Sequence, residues 1–107
     1  MDISVTGRHV EVTDSMRDYI LEKVPRLRRL YDRIEAVQVV VDRDSTRIRT
    51  EFVLRTDHKQ TFVARMSGEA FHESVDLAMD RMERQLHEHK EKIRNRKHRP
   101  GAAPGPR

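Results

Sequence analysis

Residues 36–68 read AVQVVVDRDSTRIRTEFVLRTDHKQTFVARMSG, and three segments with a strand pattern follow one another in them. The first segment, 36–43, carries four valines, and β-branched residues of this kind are typical of strands. In the other two segments the side chains alternate in character, which is typical of strands with one buried face. Their inward positions are Ile48, Thr50, Phe52, Leu54, Phe62, Ala64 and Met66. With polar turns at 42–46 and 56–59, and Ser67-Gly68 as a linker, this stretch predicts a three-stranded meander.

A short strand and a helix precede the meander, and a long helix follows it. Ile3 and Val5 alternate with polar residues, and Gly7 ends this strand. Thr13 or Asp14 can cap the first helix, because a short side-chain oxygen satisfies free amides of the first turn. The apolar positions recur at helical spacing: Met16, Ile20, Val24, Leu27, Tyr31 and Ile34 in the first helix, and Phe71, Val75, Ala78, Met82, Leu86 and Ile93 in the second. The sequence therefore predicts an α+β fold of order β-α-β-β-β-α, a four-stranded sheet with two helices packed on one face.

Pro25 lies inside the apolar stripe of the first helix. Proline lacks the backbone N–H of a helical hydrogen bond and disfavours helical geometry at the preceding residue, here Val24. We expect either a kink at this point or a break into two short helices.

Composition limits the class of protein. The 107 residues suit one domain, which we predict at residues 1–99, followed by a disordered Pro/Gly-rich tail at residues 100–107. There are no cysteines, which excludes disulfides and thiolate zinc sites. No apolar run reaches the roughly 18 to 20 residues that span a bilayer, and the N-terminus lacks the pattern of a signal peptide. We expect a cytoplasmic protein.

Charge is distributed unevenly along the chain. Residues 1–80 carry 13 Lys and Arg against 15 Asp and Glu, whereas residues 81–107 carry 9 against 3. The basic excess falls on the last turns of the long helix, with Lys90, Lys92, Arg94, Arg96, Lys97 and Arg99. A basic helix on a near-neutral body is typical of proteins that bind phosphate backbones, so nucleic acid is the first candidate partner.

Two basic surfaces follow from the helical positions. At about 100° per residue, one stripe of the first helix contains Lys23, Arg26, Arg29 and Arg33, provided that Pro25 only kinks the helix. On the long helix Arg81 and Arg84 are neighbours, as are Lys90 and Arg94. Two helices on one sheet face would then form a basic groove, or two basic rims. The alternative is that these cations only solvate helix surfaces beside acidic neighbours such as Glu22, Glu83, Glu88 and Glu91.

Patterns typical of enzymes are missing from the sequence. Residues 87–91, HEHKE, lack the second histidine four positions after the first that a metalloprotease helix needs. Asp76 and Asp80 are one turn apart and could hold a cation, but a surface pair near the start of the helix is the simpler interpretation. We predict no catalytic residues, no metal and no cofactor.

With the elements placed, the chain resembles the short bacterial ribosome hibernation-promoting factors, also called ribosome-associated inhibitors or sigma-54 modulation proteins. The resemblance spans Ile3 to about Arg94. Its residues are Val5-Thr6-Gly7-Arg8-His9-Val10-Glu11-Val12-Thr13, Leu30-Tyr31-Asp32-Arg33-Ile34, Val37-Gln38-Val39-Val40-Val41, Asp76, Asp80-Arg81, Arg84-Gln85-Leu86 and His89-Lys90-Glu91-Lys92.

The resemblance implies a fold similar to a double-stranded-RNA-binding domain. It also implies binding to the small ribosomal subunit, in the channel for messenger and transfer RNA, and inhibition of translation in stationary phase or stress by steric occupancy. By position, the family's RNA contacts correspond to Lys23, Arg26, Arg33, Arg81, Arg84, Lys90 and Lys92. We add Arg29 to these predicted RNA contacts because it lies on the same helical stripe as Lys23, Arg26 and Arg33. Gln85 and His89 match the pattern as well, and either RNA contact or helix packing would explain them.

Partners and alternatives remain open in the sequence. Longer family members carry a second domain that pairs ribosomes, and this chain stops before one. We expect a monomer that does not pair ribosomes alone, and a separate ribosome modulation factor is a further possible partner. The other functions to consider are a protein-interaction regulator, such as a sigma-factor modulator, and a general double-stranded-RNA-binding module.

Overall fold

The computed structural model describes residues 1–57 and 59–97, and it has the predicted order of elements. Its four strands are β1 (Asp2–Arg8), β2 (Ile34–Asp44), β3 (Arg47–Thr56) and β4 (Thr61–Gly68). Its helices are α1 (Asp14–Lys23), α2 (Pro25–Leu30) and α3 (Phe71–Lys97). The α+β prediction is therefore confirmed. Arg99 and the predicted tail at 100–107 lie outside the described residues.

The strands form one mixed sheet in the order β1-β2-β3-β4. β1 pairs in parallel with β2, because the chain crosses back through α1 and α2, whereas β2, β3 and β4 pair antiparallel through hairpins. The sheet face toward the helices is apolar, with Val37, Val39, Val41, Phe52 and Leu54 fully or almost fully buried. All three helices contribute to this one core, so the helices share one face of the sheet.

Two predicted linkers are shorter than expected, because the strands extend into them. Asp42 and Arg43 belong to β2, and the hairpin turn contains only Ser45 and Thr46. Ser45 has φ 61°, the left-handed geometry that a two-residue hairpin requires. Gly68, predicted as part of a linker, pairs with Ile48 at the end of β4.

Pro25 divides the first predicted helix in two, which confirms the second of the two expected outcomes. Val24 keeps helical geometry, with φ −56° and ψ −37°, and Pro25 occupies the first position of α2. A proline costs little there, because the first amides of a helix have no partner within it.

The predicted stripe of the first helix was wrong beyond Leu30. Tyr31 is extended, with φ −151° and ψ 112°, and ends α2. Ile34 is buried, but as the first residue of β2. Arg33 therefore lies in the connection to β2 and not on a helix. The apolar spacing alone did not separate a buried strand residue from a further helical turn.

The long helix α3 begins at Phe71 as predicted, and its apolar stripe is buried through Val75, Ala78, Met82 and Leu86. Ile93, predicted on the same stripe, is instead 39% exposed. It lies about 10 Å beyond Leu86 at the rise of an α-helix, past the last core residue of α3. The C-terminal part of α3 therefore extends beyond the core.

Candidate nucleic-acid interface

A line of ion pairs joins the first helices to the N-terminal half of α3. Tyr19 Oη donates a 2.7 Å hydrogen bond to Asp76 Oδ1, and Lys23 Nζ lies 3.5 Å from the same oxygen. The ammonium group also lies 4.6 Å from the centre of the Tyr19 ring. The hydrogen bond to Asp76 raises the pKa of Tyr19 above its ordinary value. Lys23 is thus held in a packed contact between α1 and α3.

Arg26 makes the strongest pair in this line. Its Nε and Nη2 donate to the two carboxylate oxygens of Glu83 at 3.0 and 2.7 Å, and Nη2 lies 3.7 Å from Asp80. Such a bidentate geometry fixes both side chains. The hydrogen bonds to Glu83 raise the pKa of Arg26 further above its ordinary value. We call the contacts of Lys23 and Arg26 with Asp76, Asp80 and Glu83 the paired seam.

Beyond Glu83 the same side of α3 changes from acidic to basic. At about 100° per residue, His87 and Lys90 continue the side on which Asp76, Asp80 and Glu83 lie. They face the end of α2 and the connection after it. The paired seam therefore gives way to a surface on which cations have few acidic neighbours.

Two surface cavities form this basic surface. One, of about 480 Å³, is lined by Arg26, Arg29, Leu30, Glu83, Arg84 and His87. The other, of about 460 Å³, is lined by Arg29, Leu30, Tyr31, Asp32, Arg33, Lys90 and Ile93. Arg29 and Leu30 line both, so the two cavities are neighbours. We call the surface defined by Arg29, Arg33, Arg84, His87 and Lys90 the basic groove.

The cations of the basic groove differ in their partners. Arg33 donates a hydrogen bond to Asp57 at 3.2 Å. Within the described ranges 1–57 and 59–97, Arg29, Arg84 and Lys90 make no ion pair. The lining cations Arg29, Arg33, Arg84 and Lys90 outnumber the lining acids Asp32 and Glu83. Like charges in excess repel one another, and a bound anion relieves that repulsion. The arrangement therefore favours a polyanionic ligand.

The remaining two predicted RNA-binding residues lie outside the groove. Arg81 is exposed on the side of α3 that faces away from the sheet, next to Arg84. Lys92 lines a third surface cavity, of about 480 Å³, on the β4 side of α3, with Phe62, Gln85, Glu88 and His89. The eight predicted residues thus divide among the paired seam, the basic groove and two separate positions on α3, and a single stripe does not connect them.

Packing explains the two family-pattern residues that the sequence left open. Gln85 Nε2 donates a 2.8 Å hydrogen bond to the Val63 carbonyl and so occupies an acceptor of the edge strand β4. The His89 ring packs edge-on against Phe62 and Tyr31, with ring centres 5.1 and 6.0 Å apart. Both residues fasten α3 to the sheet.

The opposite face of the sheet holds an ionic cluster that sequence reasoning missed. Asp42 lies 3.0 Å from His9 Nδ1, accepts a 3.1 Å hydrogen bond from Arg49 and lies 3.6 Å from Arg8. The contact with His9, and then those with Arg49 and Arg8, lower the pKa of Asp42 below its ordinary value. The signal was the cross-strand register, which places Arg8 and Arg49 beside Asp42. Because acidic groups lie among its cations, this face offers less unbalanced charge than the groove.

Sequence reasoning also missed His87, Leu30, Tyr31 and Ile93 as lining residues of the groove. His87 was considered only as a metal ligand and Ile93 only as core. Tyr31 was considered as core and as part of the family resemblance, and Leu30 only as part of the resemblance. In the described part of the chain, no group of three or more acidic or histidine side chains could hold a metal ion. Asp76 and Asp80, the candidate cation pair, instead contact Lys23 and Arg26. No helix among the described residues is long and apolar enough to cross a membrane.

Comparison with known proteins gives concordant results. A relative from Azotobacter vinelandii named ribosome hibernation promoting factor is 36% identical over 108 residues, covering 99% of this chain and 100% of the relative. A protein of the same name from Pseudomonas putida is 36% identical over 92 residues, covering 86% of this chain and 89% of the relative. The Escherichia coli protein of that name is 28% identical over 94 residues, covering 88% and 98%.

Solved structures share the fold. A ribosomal subunit interface protein from Coxiella burnetii superposes with a TM-score of 0.78 at 22% identity, covering 84% of this chain and 98% of that one. The N-terminal domain of Thermus thermophilus Protein Y superposes with a TM-score of 0.73 at 29% identity, covering 82% and 98%. The model of the family described as sigma 54 modulation protein / S30EA ribosomal protein matches residues 3–94. The chain belongs to this family.

Proposed function

We propose that this protein is a ribosome hibernation factor. It binds the ribosomal RNA of the small subunit through the basic groove and the adjoining face of α3. It occupies the channel for messenger and transfer RNA and thereby inhibits translation in stationary phase or stress. Family membership and the name shared by its relatives support the ribosome as the partner, in the cytoplasm.

One observation supports the location of the RNA contact above all others. Arg29, Arg84 and Lys90 converge on one groove without an ion pair among the described residues, directly beside a seam in which Lys23 and Arg26 are paired. A surface that served only solubility would gain nothing from this segregation of charge. Phosphates supply the missing anions at a spacing that a groove between helices can follow.

The paired seam has a supporting role in this proposal. Because Arg26 and Glu83 join α2 to α3, the groove cations are held on elements whose relative position is fixed. A preformed groove loses little conformational entropy on binding, which increases affinity. Lys23 and Arg26 remain candidate RNA contacts on their exposed sides, and Arg81 and Lys92 extend the contact along α3.

The mechanism is occupancy without chemistry. The protein works as a monomer that excludes the ligands of the channel, and it requires no cofactor. A separate ribosome modulation factor is a further candidate partner.

Two other functions are separable by experiment. A general double-stranded-RNA binder should bind any long RNA duplex, whereas a channel occupant should prefer the assembled subunit. If the protein instead regulated a protein partner, there would be no reason for cations without an ion pair on both α2 and α3 among the described residues. Both alternatives predict that channel ligands have no effect on subunit binding.

Co-sedimentation with purified small subunits tests the proposal. The protein should pellet with subunits in a one-to-one ratio, and prebound messenger and initiator transfer RNA should reduce the pelleted amount. A long RNA duplex at equal nucleotide concentration is the control competitor, and it should compete poorly. Subunit binding that channel ligands leave unchanged would contradict the proposed location.

A further inference from the structure

The cavity at the C-terminal end of the basic groove combines two kinds of wall. Its volume of about 460 Å³ lies within the range of small-molecule sites, roughly 300 to 1,000 Å³. Arg29, Arg33 and Lys90 supply positive charge, and Asp32 is the acidic residue of the lining. Leu30, Tyr31 and Ile93 supply apolar surface.

Ile93 is the unexplained part of this cavity. Ile93 lies on the same side of α3 as Leu86, which is completely buried, yet Ile93 is 39% exposed. A single exposed apolar side chain needs no explanation. Here, however, the apolar surface lines the same cavity as Arg29 and Lys90, two cations that make no ion pair among the described residues. A ligand that satisfies both features carries an anionic group and a flat apolar group side by side.

We propose that this cavity is a subsite for one splayed-out nucleotide of single-stranded RNA. Its phosphate lies against Arg29 and Lys90, and its base lies against Leu30, Tyr31 and Ile93. The inference rests on the proposed function, because ribosomal RNA supplies the nucleotide. It goes beyond that function, because phosphate contacts along the groove need no apolar wall, whereas an unstacked base needs one.

The chemistry of RNA recognition supports this choice over a duplex backbone. Bases in a duplex are stacked and reach no side cavity, whereas bases in loops and bulges turn outward onto aromatic and apolar side chains. The Tyr31 ring is held edge-on by Phe62 and His89, with ring centres 6.4 and 6.0 Å away. The wall is therefore in place before the ligand arrives.

Two probes separate base from phosphate. One is a five-nucleotide single-stranded RNA, and the other is an abasic ribose-phosphate chain of the same length and charge. Both are titrated at one salt concentration into the wild-type chain, Ile93→Ala, Lys90→Gln and the control Leu77→Ala. Leu77 is 37% exposed on the same helix, so both apolar truncations leave the core intact.

The proposal predicts different losses for the two kinds of change. Ile93→Ala should weaken binding of the base-carrying RNA about fivefold and leave binding of the abasic chain unchanged. Lys90→Gln should weaken binding of both chains, and Leu77→Ala should affect neither. The subsite is overturned if Ile93→Ala does not weaken binding of the base-carrying RNA, or if it weakens binding of both chains equally. Uridine 5′-monophosphate that binds as tightly as the five-nucleotide RNA overturns the RNA assignment in favour of a free nucleotide.

Co-sedimentation of the same variants with small subunits separates this inference from the proposed function. One outcome is that Lys90→Gln weakens subunit binding while Ile93→Ala affects the base-carrying RNA and the abasic chain alike. In that case only the subsite fails. If Lys90→Gln leaves subunit binding unchanged, the assignment of the groove as the RNA contact fails first. Circular dichroism of each variant confirms that the comparison is between folded proteins.

Discussion

Arg26 and Glu83, 57 positions apart in the sequence, form a bidentate ion pair that joins α2 to α3. The pair marks the boundary between two electrostatic regimes on one helical surface. On its N-terminal side Lys23 and Arg26 are matched by Asp76 and Asp80, whereas on its C-terminal side Arg84 and Lys90 have no ion pair within residues 1–57 and 59–97. This boundary separates the part of the surface that holds the helices together from the part that is available to a ligand.

The first prediction concerns the contribution of that pair to stability. Both side chains are partly exposed, so solvent screening limits their coupling to about 1 kcal/mol. A double-mutant cycle with Arg26→Gln and Glu83→Gln, followed by chemical denaturation, should measure a coupling free energy of this size. Arg28→Gln, on the same short helix, is the control and should leave the free energy of unfolding within about 0.5 kcal/mol of wild type. Additive effects of Arg26→Gln and Glu83→Gln would show that the pair does not fasten the helices.

The same variants test whether Arg26 also contacts RNA. If Arg26 serves only the seam, Arg26→Gln should weaken subunit binding through the loss of helix contact, without a change in salt dependence. Glu83→Gln loses the same contact but also removes an acid from the lining of the groove cavity, so it should weaken binding less. If Arg26 also binds phosphate, Arg26→Gln should weaken binding more and lower its salt dependence.

Much of the fold follows from local pattern, but the division of the basic residues does not. Alternation in residues 48–66 and the spacing of Phe71, Val75, Ala78, Met82 and Leu86 were sufficient to place the meander and the long helix. The pairing of Arg26 depends on Glu83, which only the tertiary fold brings near. For the same reason Arg29 and Arg26, three residues apart, were predicted as equals although they have different surroundings.

The predicted boundaries of helices and strands were wrong where the helical and the strand periodicity fit the same residue. Ile34 satisfies both the helical stripe before it and the strand after it, and the extended geometry of Tyr31 decides between them. Ile93 fits the helical stripe as well, but the core to which the stripe belongs ends earlier. Local spacing carries no information about where the opposing surface stops.

The second prediction concerns Pro25, at the first position of α2. An alanine there gains a helical amide but also gains freedom in the unfolded chain, and these effects oppose each other. Pro25→Ala should therefore change the free energy of unfolding by less than about 1 kcal/mol and leave subunit affinity unchanged. Glu22→Pro, inside α1, is the control and should cost about 3 kcal/mol. A large gain in stability with a loss of affinity would show that the break orients Arg29.

The third prediction concerns the pH dependence that Asp42 contributes. Its contacts with His9, Arg49 and Arg8 lower its pKa in the folded state below the ordinary value of 3.8. A lowered carboxyl pKa stabilises the fold above the unfolded-state value, and this contribution is lost as the pH falls through the folded-state value. Asp42→Asn should therefore lower the Tm at neutral pH, and the difference from wild type should narrow progressively below pH 3.8.

Asp44→Asn, on the same strand and exposed, is the matched control. It should leave the Tm close to that of wild type across the same range of pH. A difference between Asp42→Asn and wild type that stays constant down to pH 2 would contradict an ionic origin. Subunit binding should be unaffected by either variant, because β2 turns Asp42 away from the helices.

The fourth prediction follows from occupancy as the mechanism. In a purified translation system, synthesis should fall in proportion to added protein, reaching its minimum near one protein per ribosome. Messenger and initiator transfer RNA added beforehand should protect the ribosomes, and ribosomal RNA should remain intact on a denaturing gel. Inactivation well below one protein per ribosome, or cleaved ribosomal RNA, would point to catalysis instead.

The salt dependence of small-subunit affinity tests the basic groove most directly. Each phosphate contact contributes about 0.7 to 0.9 to the slope of log affinity against log salt concentration. The triple variant Arg29→Gln, Arg84→Gln, Lys90→Gln should bind weakly, with a slope lower than wild type by about 2 to 3. The control triple variant Arg17→Gln, Arg43→Gln, Arg47→Gln removes the same charge elsewhere and should lower the slope by much less. Equal slopes for the wild-type chain and the groove variant would contradict the account.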